Sequence, residues 1–404
     1  MNISRRSLIS GISASAVLAI APGVNVSFAA EGAPPRDVLI VLFQRGACDW
    51  LQMLAPAGDP NYIANRPSVR VQTTGANAGI GLATLDSVDL YLSASAPELK
   101  TLYDSGKLAF VHSTGLFTAD RSHFTCQANM ERGTADADAE QNSGWLARHT
   151  ASIGVQADLG VVSQGSTMPI SLLGQPAAVA VSNPTSFNVS GGTTNATIMR
   201  LMNTSGTATP YKTAAIKTLN TIQDVQAGLT GFQDTSGTAG YTAGSLSTSL
   251  RSVGRLIRMN AGVDVVTVDY GGWDHHNNLV SEFNTRTVEF SRALNAFWTD
   301  MADYRDRITL VTMTEFGRRF RENGTQGTDH GSGSGMLVLG GNVNGGRVYG
   351  RWPGLAANQL VSGDFAVTTD YRQVLAEILV KRHAETKLDT VFPTIAYAPL
   401  GVIA

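Results

Sequence analysis

Continuous apolar runs dominate the chain, rather than alternating ones. Residues 36–45 read Arg-Asp-Val-Leu-Ile-Val-Leu-Phe-Gln-Arg. A strand with no polar face is buried on both sides, as in the middle of a parallel sheet. Residues 107–112, 263–270, 307–314 and 336–339 repeat the pattern, and 159–162 and 177–181 give shorter versions. Helical spacing appears over 211–229, 246–260, 280–304 and 371–383. Residues 99–105 read as a helix end and turn, and 117–132 opens as a loop and becomes helical. Strands alternating with helices predict an α/β fold, with a mostly parallel central sheet covered by helices on both faces.

Composition adds organisation. The 404 residues exceed the usual span of a single core, so one large α/β domain with an insertion is expected over 30–404. From about 182 to 244 the sequence turns to Ser, Thr, Gly and Asn, which marks an insertion or cap. The net charge of -2, with no basic run beyond the N-terminus, excludes a nucleic-acid groove and a polybasic membrane patch.

Residues 1–29 have the character of a targeting segment. Ser4-Arg5-Arg6-Ser7-Leu8-Ile9 is a twin-arginine pattern, a short apolar stretch runs to about Val24, and Ser27-Phe28-Ala29 offers small residues for cleavage. The expectation is a folded protein passed to the twin-arginine export machinery and delivered to the periplasm or beyond. The mature chain is expected to carry no transmembrane helix. An oxidising compartment would permit a disulfide between Cys48 and Cys126; two small buried thiols are the alternative.

The chemistry collects at strand ends, where open α/β sheets bind their ligands. Asp49 follows the first strong run. Arg121, Ser122 and His123 come after the second. The third leads into Trp273-Asp274-His275-His276, the fourth ends at Glu315, and Asp329-His330 stands before the fifth. Five of the seven histidines (His112, His123, His275, His276 and His330) fall in or beside these segments. A mixed carboxylate and imidazole set suits Zn²⁺ and tolerates Mn²⁺ or Mg²⁺. The expected ligands are Asp49, Asp274, His276, Asp329 and His330, for one or two divalent ions. Asp274 and His276 sit two residues apart, so an extended backbone turns them the same way. Ser122 opens a helix, whose free N–H groups favour an anion, and is the candidate nucleophile. Arg121 is the candidate grip on an oxyanion, and Glu315 a further base or ligand. Arg45 and Arg318 read either as site residues or as salt-bridge partners.

The segments 42–51 (Leu-Phe-Gln-Arg-Gly-Ala-Cys-Asp-Trp-Leu), 121–127 (Arg-Ser-His-Phe-Thr-Cys-Gln), 271–276, 314–318, 327–331 and 337–350 resemble a family of twin-arginine-exported bacterial proteins, sulfatase-like members of the alkaline phosphatase superfamily. The resemblance implies an alkaline-phosphatase-like core with a nucleophilic Ser122 near metal ions. Asp49 would be a first-strand ligand, and Asp274 with His276, and Asp329 with His330, would be later ligand pairs. Two departures stand out: Asp274-His275-His276 replaces the usual Asp-x-x-x-His, and Glu315-Phe316 occupies the place of an Asp-His pair. There is no Cys-x-Pro-x-Arg around either cysteine, which argues against the formylglycine type of sulfatase. The expectation is an exported metal-dependent hydrolase that acts through Ser122 on a phosphate or sulfate ester or a related anionic bond. A non-catalytic envelope protein that binds an anionic glycan or partner is the alternative.

Overall fold

A computed structural model describes residues 36–75, 78–118, 120–134, 141–155 and 157–404. Residues 1–29, expected to be a targeting segment, lie outside the described residues. Twelve strands are described: β1 Val38–Arg45, β2 Leu54–Ala55, β3 Ile80–Leu85, β4 Val88–Leu92, β5 Leu108–Gly115, β6 Val161–Gln164, β7 Val179–Ala180, β8 Val265–Gly271, β9 Ile308–Met313, β10 Ser334–Gly340, β11 Arg347–Tyr349 and β12 Thr369–Asp370. Nine form a central sheet in the order β11-β5-β10-β9-β1-β8-β6-β7, with β12 also on β5. The pairings are parallel except at β10, which runs antiparallel to both β5 and β9. The fold is therefore α/β with a mostly parallel sheet.

β1 shows why its run of apolar residues has no polar face. Val38, Ile40 and Leu42 enter one core cluster, and Leu39, Val41 and Phe43 enter the other. The first cluster takes its cover from the helices Ser245–Arg258 and Leu279–Asp300, through Leu250, Val253, Phe290 and Phe297. The second is covered by His123–Arg132, Trp145–Ser152 and Tyr371–His383, through Met130, Trp145, Val374 and Ile378. Among the described residues no helix is long and apolar enough to cross a membrane.

The antiparallel β10 fixes the position of the site. β1, β5, β8 and β9 run to the same edge of the sheet, so the loops after Arg45, Gly115, Gly271 and Met313 gather there. Because β10 runs the other way, the residues before it, Asp329 and His330, reach that edge too.

Two elements depart from the sequence reading. β2, β4 and β3 form a separate three-stranded sheet, with β3 and β4 joined at Asp86-Ser87, both at positive φ. The stretch 182–244 holds the helix expected over 211–229, as Pro210–Leu229, and a second helix without an expected counterpart, Gly192–Thr204, around a small apolar cluster of Val189, Leu219 and Ile222.

Candidate metal centre

The loops at this edge pack backbone against backbone. Gly46 holds φ +115°, and a Cβ there would lie 2.7 Å from the Asp274 amide nitrogen. A Cβ on Gly327 would lie 2.1 Å from the His276 carbonyl carbon. Only glycine permits these approaches, and they bring the loops after β1 and before β10 against the loop after β8.

Four side chains then meet at one point. His123 Nε2 lies 3.1 Å from His330 Nε2, and His276 Nε2 lies 3.0 Å from the same atom. Asp274 Oδ1 is 3.0 Å from His276 Nε2 and 3.2 Å from His330 Nε2, while its Oδ2 is 3.4 Å from His123 Nε2. Among the described residues, His123, Asp274 and His330 form a compact ligand group, their donor atoms all within 4.8 Å of one another.

Each imidazole has its other nitrogen on an oxygen. His123 Nδ1 is 2.8 Å from Glu315 Oε1, His276 Nδ1 is 3.1 Å from Asp329 Oδ1, and His330 Nδ1 is 3.0 Å from the Arg121 carbonyl. A hydrogen on Nδ1 leaves the Nε2 lone pair facing inward, the arrangement metal-binding histidines use. A hydrogen-bonded network without an ion fits less well. One protonated ring has a single N–H to offer at Nε2, whereas His330 Nε2 faces two other Nε2 atoms and a carboxylate oxygen. A tetrahedron with bonds of ~2.0 Å has edges of ~3.3 Å, which matches the separations of 3.1, 3.2 and 3.4 Å among His123, Asp274 and His330.

The electrostatics follow from these contacts. The Glu315 hydrogen bond raises the His123 pKa despite partial burial, whereas burial lowers that of His330. Burial pushes the Asp274 carboxyl up, but the Arg318 hydrogen bond and charge outweigh it and hold it below its usual value. Arg318 is fully buried, donates to Asp274 Oδ1 at 2.6 Å, and is itself tied to the Thr328 carbonyl. Glu315 is fully buried and also held below its usual range: burial raises it, and donors that include His123 and Gln127 prevail.

The residues expected from sequence divide accordingly. Asp274, His276 and His330 come together. Asp329 and Glu315 stand one step back, each behind a ring. Asp49 does not join them. Its two oxygens take Arg66 Nη1 at 3.0 and 2.9 Å, and Thr328 Oγ1 donates to Oδ2 at 2.9 Å, so its lone pairs are already occupied by a fully buried guanidinium and a hydroxyl. Arg121 presents its carbonyl to His330 while its Nε and Nη2 bind Asp364 Oδ2. Ser122 sits at the N-cap of His123–Arg132, its Oγ 3.5 Å from the Thr125 amide, too long for a firm cap.

His123 is the residue that the expected ligand set lacks. It is the first residue of its helix, and only the helix start decides that its ring turns back toward the sheet edge. His275 and His112 lie elsewhere. Both are buried, with pKa values lowered by burial to about 4 and about 3. Cys48 and Cys126 are buried and free. Burial pushes Cys126 up to about 12 and Cys48 well above the ordinary thiol value, so neither is a thiolate near neutrality.

The sequence profile of a family described as "Protein of unknown function (DUF1501)" matches residues 111–376. No curated protein matches by sequence. Among solved structures, the lipoteichoic acid synthase LtaP from Listeria monocytogenes overlays at 8% identity and a TM-score of 0.36, covering 83% of this chain and 75% of its own. Alkaline phosphatase from the Antarctic bacterium TAB5 overlays at 12% identity and a TM-score of 0.32, covering 78% and 95%. The PsFucS1 sulfatase from Pseudoalteromonas sp. overlays at 10% identity and a TM-score of 0.35, covering 91% and 73%. All three overlays are loose.

Proposed function

The chain belongs to the family of proteins of unknown function DUF1501, and from its geometry we propose that it is a metal-dependent hydrolase of a phosphate or sulfate ester. The observation that carries this reading is the meeting of His123, Asp274, His276 and His330 with each ring's Nδ1 held by an oxygen. Three imidazoles and one carboxylate favour Zn²⁺ over Mg²⁺, which prefers oxygen. One ion is the expected number, because Asp49 is taken by Arg66 and the buried Arg318 already supplies a cation on Asp274. A bound ion supplies a Lewis acid that polarises the ester.

The chain's own residues do the rest. Ser122 lies beside His123 at the start of a ten-residue helix, with a loosely held hydroxyl, and is the nucleophile. Arg121, fixed by Asp364 along its Nε and Nη2 edge, keeps Nη1 for an anionic oxygen. Phosphate and sulfate esters offered to zinc-loaded, chelated and Ser122→Ala protein test the reading. Turnover by the loaded native protein alone supports it, and equal activity in all three rejects it.

A second reading, a binding protein that keeps the metal without catalysis, draws on the engagement of both Arg121 and Ser122 in local structure. It predicts stoichiometric metal and no turnover across the panel. Export to the periplasm is part of the proposal and rests on Arg5-Arg6 and the apolar stretch that follows. Replacing both arginines with lysine and fractionating the cells tests it: retention in the cytoplasm is expected.

A further inference from the structure

Asp364 is a fully buried carboxylate, remote in sequence from every residue of the metal centre. Its Oδ2 accepts Nε and Nη2 of Arg121 and, at 3.0 Å, the Ser332 hydroxyl, and its Oδ1 lies 3.3 Å from Arg319 Nη1. These partners sit on the two loops that supply His123 and His330. Arg121 is two residues before His123, Ser332 is two after His330, and the Arg319 amide donates to the Asp329 carbonyl at 2.7 Å. Arg121 then returns to the centre through its backbone, because its carbonyl accepts from His330 Nδ1 at 3.0 Å.

We propose that Asp364 is a positioning residue for the metal centre: by clamping the Arg121 guanidinium it fixes the carbonyl that sets the tautomer and direction of the His330 ring. The proposal rests on the metal reading above and adds to it a residue that touches neither metal nor substrate. The carbonyl of residue 121 sits on an irregular segment before a helix, with no strand ladder to hold it. The Ser122 amide of the same peptide donates to Asp120 Oδ1 at 2.7 Å, and a charge-assisted pair to a buried carboxylate adds a second, stronger constraint that ties the segment to the opposite loop. Arg319 and Ser332 approach the same carboxylate from the opposite loop as secondary contacts. Partners behind a metal-bound ring are commonly worth about tenfold to a hundredfold in metal affinity.

Titration of the full folded chain with Zn²⁺ alone tests this, together with the visible bands of Co²⁺ bound in its place. Asp364→Asn and Arg121→Gln should each weaken zinc about tenfold or more and alter the Co²⁺ bands. Combining them should add little, since both cut one clamp. Ser332→Ala, which removes a different hydrogen bond to the same carboxylate, should stay within about twofold of the native affinity. Asp364→Glu should recover part of the loss. If Asp364→Asn does not fold, Arg121→Gln, on a partly exposed side chain, cuts the same clamp from its other end and decides the question alone. Native zinc affinity in a folded Arg121→Gln or Asp364→Asn overturns the role of Asp364 and leaves the metal centre standing. Absence of zinc binding by the native chain overturns both.

Discussion

His123 Nε2 and His330 Nε2 stand 3.1 Å apart, although the two residues are separated by 207 positions in sequence. With Nδ1 of one ring on Glu315 and Nδ1 of the other on the Arg121 carbonyl, the two lone pairs face each other. With both Nε2 atoms unprotonated the contact is repulsive, and a proton or a metal ion between them relieves it. His123→Ala and His330→Ala are each expected to lose bound zinc while keeping the native fold. Retention of stoichiometric zinc by either variant would remove that ring from the ligand set.

Asp49 provides the opposite expectation. It pairs with Arg66 where both side chains are essentially buried. Asp49→Ala leaves a buried guanidinium uncompensated, a change that costs ~3–5 kcal/mol. Denaturant unfolding should show that loss, and the folded fraction should keep its zinc. Loss of zinc with unchanged stability would make Asp49 a ligand after all.

Ser122 can be separated from the metal. Its cap is long, so Ser122→Ala should cost no more than about 1 kcal/mol of stability. Zinc content should be native, and ester turnover should fall to background. Native turnover in the folded, zinc-loaded variant would remove Ser122 as nucleophile and leave the ion as the operative group.

Acid sensitivity should come partly from outside the centre. His112, enclosed by Trp50, Trp352 and Phe365, and His383 are both lowered by burial from 6.5 to about 3. The unfolded chain therefore takes up protons first. Their contribution is intact above pH 6.5 and is lost as the pH falls from 6.5 toward 3, at ~1.4 kcal/mol per pH unit per histidine. Unfolding of chelated protein between about pH 6 and 4.5 should show this slope, and His112→Phe should reduce it by about one proton. An unchanged slope in that variant would mean that His112 titrates normally.

How much of this was legible in the sequence depended on burial and on chain distance. The central strands were readable because burial on both faces leaves no polar position, as Val38 to Phe43 show. The β2-β4-β3 sheet escaped because its residues are unevenly buried and its turn, Asp86-Ser87, is not a common hairpin pair. Asp274 and His276 could be paired from their spacing, since an extended segment turns alternate residues the same way. His275, between them, is buried away from the centre. No local pattern could reveal that Asp49 would be claimed by Arg66, or that His123 would close the ligand set. Both depend on contacts between distant loops.

The most direct measurement is the metal content of the folded native chain, by elemental analysis after exhaustive dialysis and after reloading with Zn²⁺. Close to one zinc per chain is expected, lost in His330→Ala. Native protein that takes up no stoichiometric metal would contradict the metal centre and the hydrolase built on it.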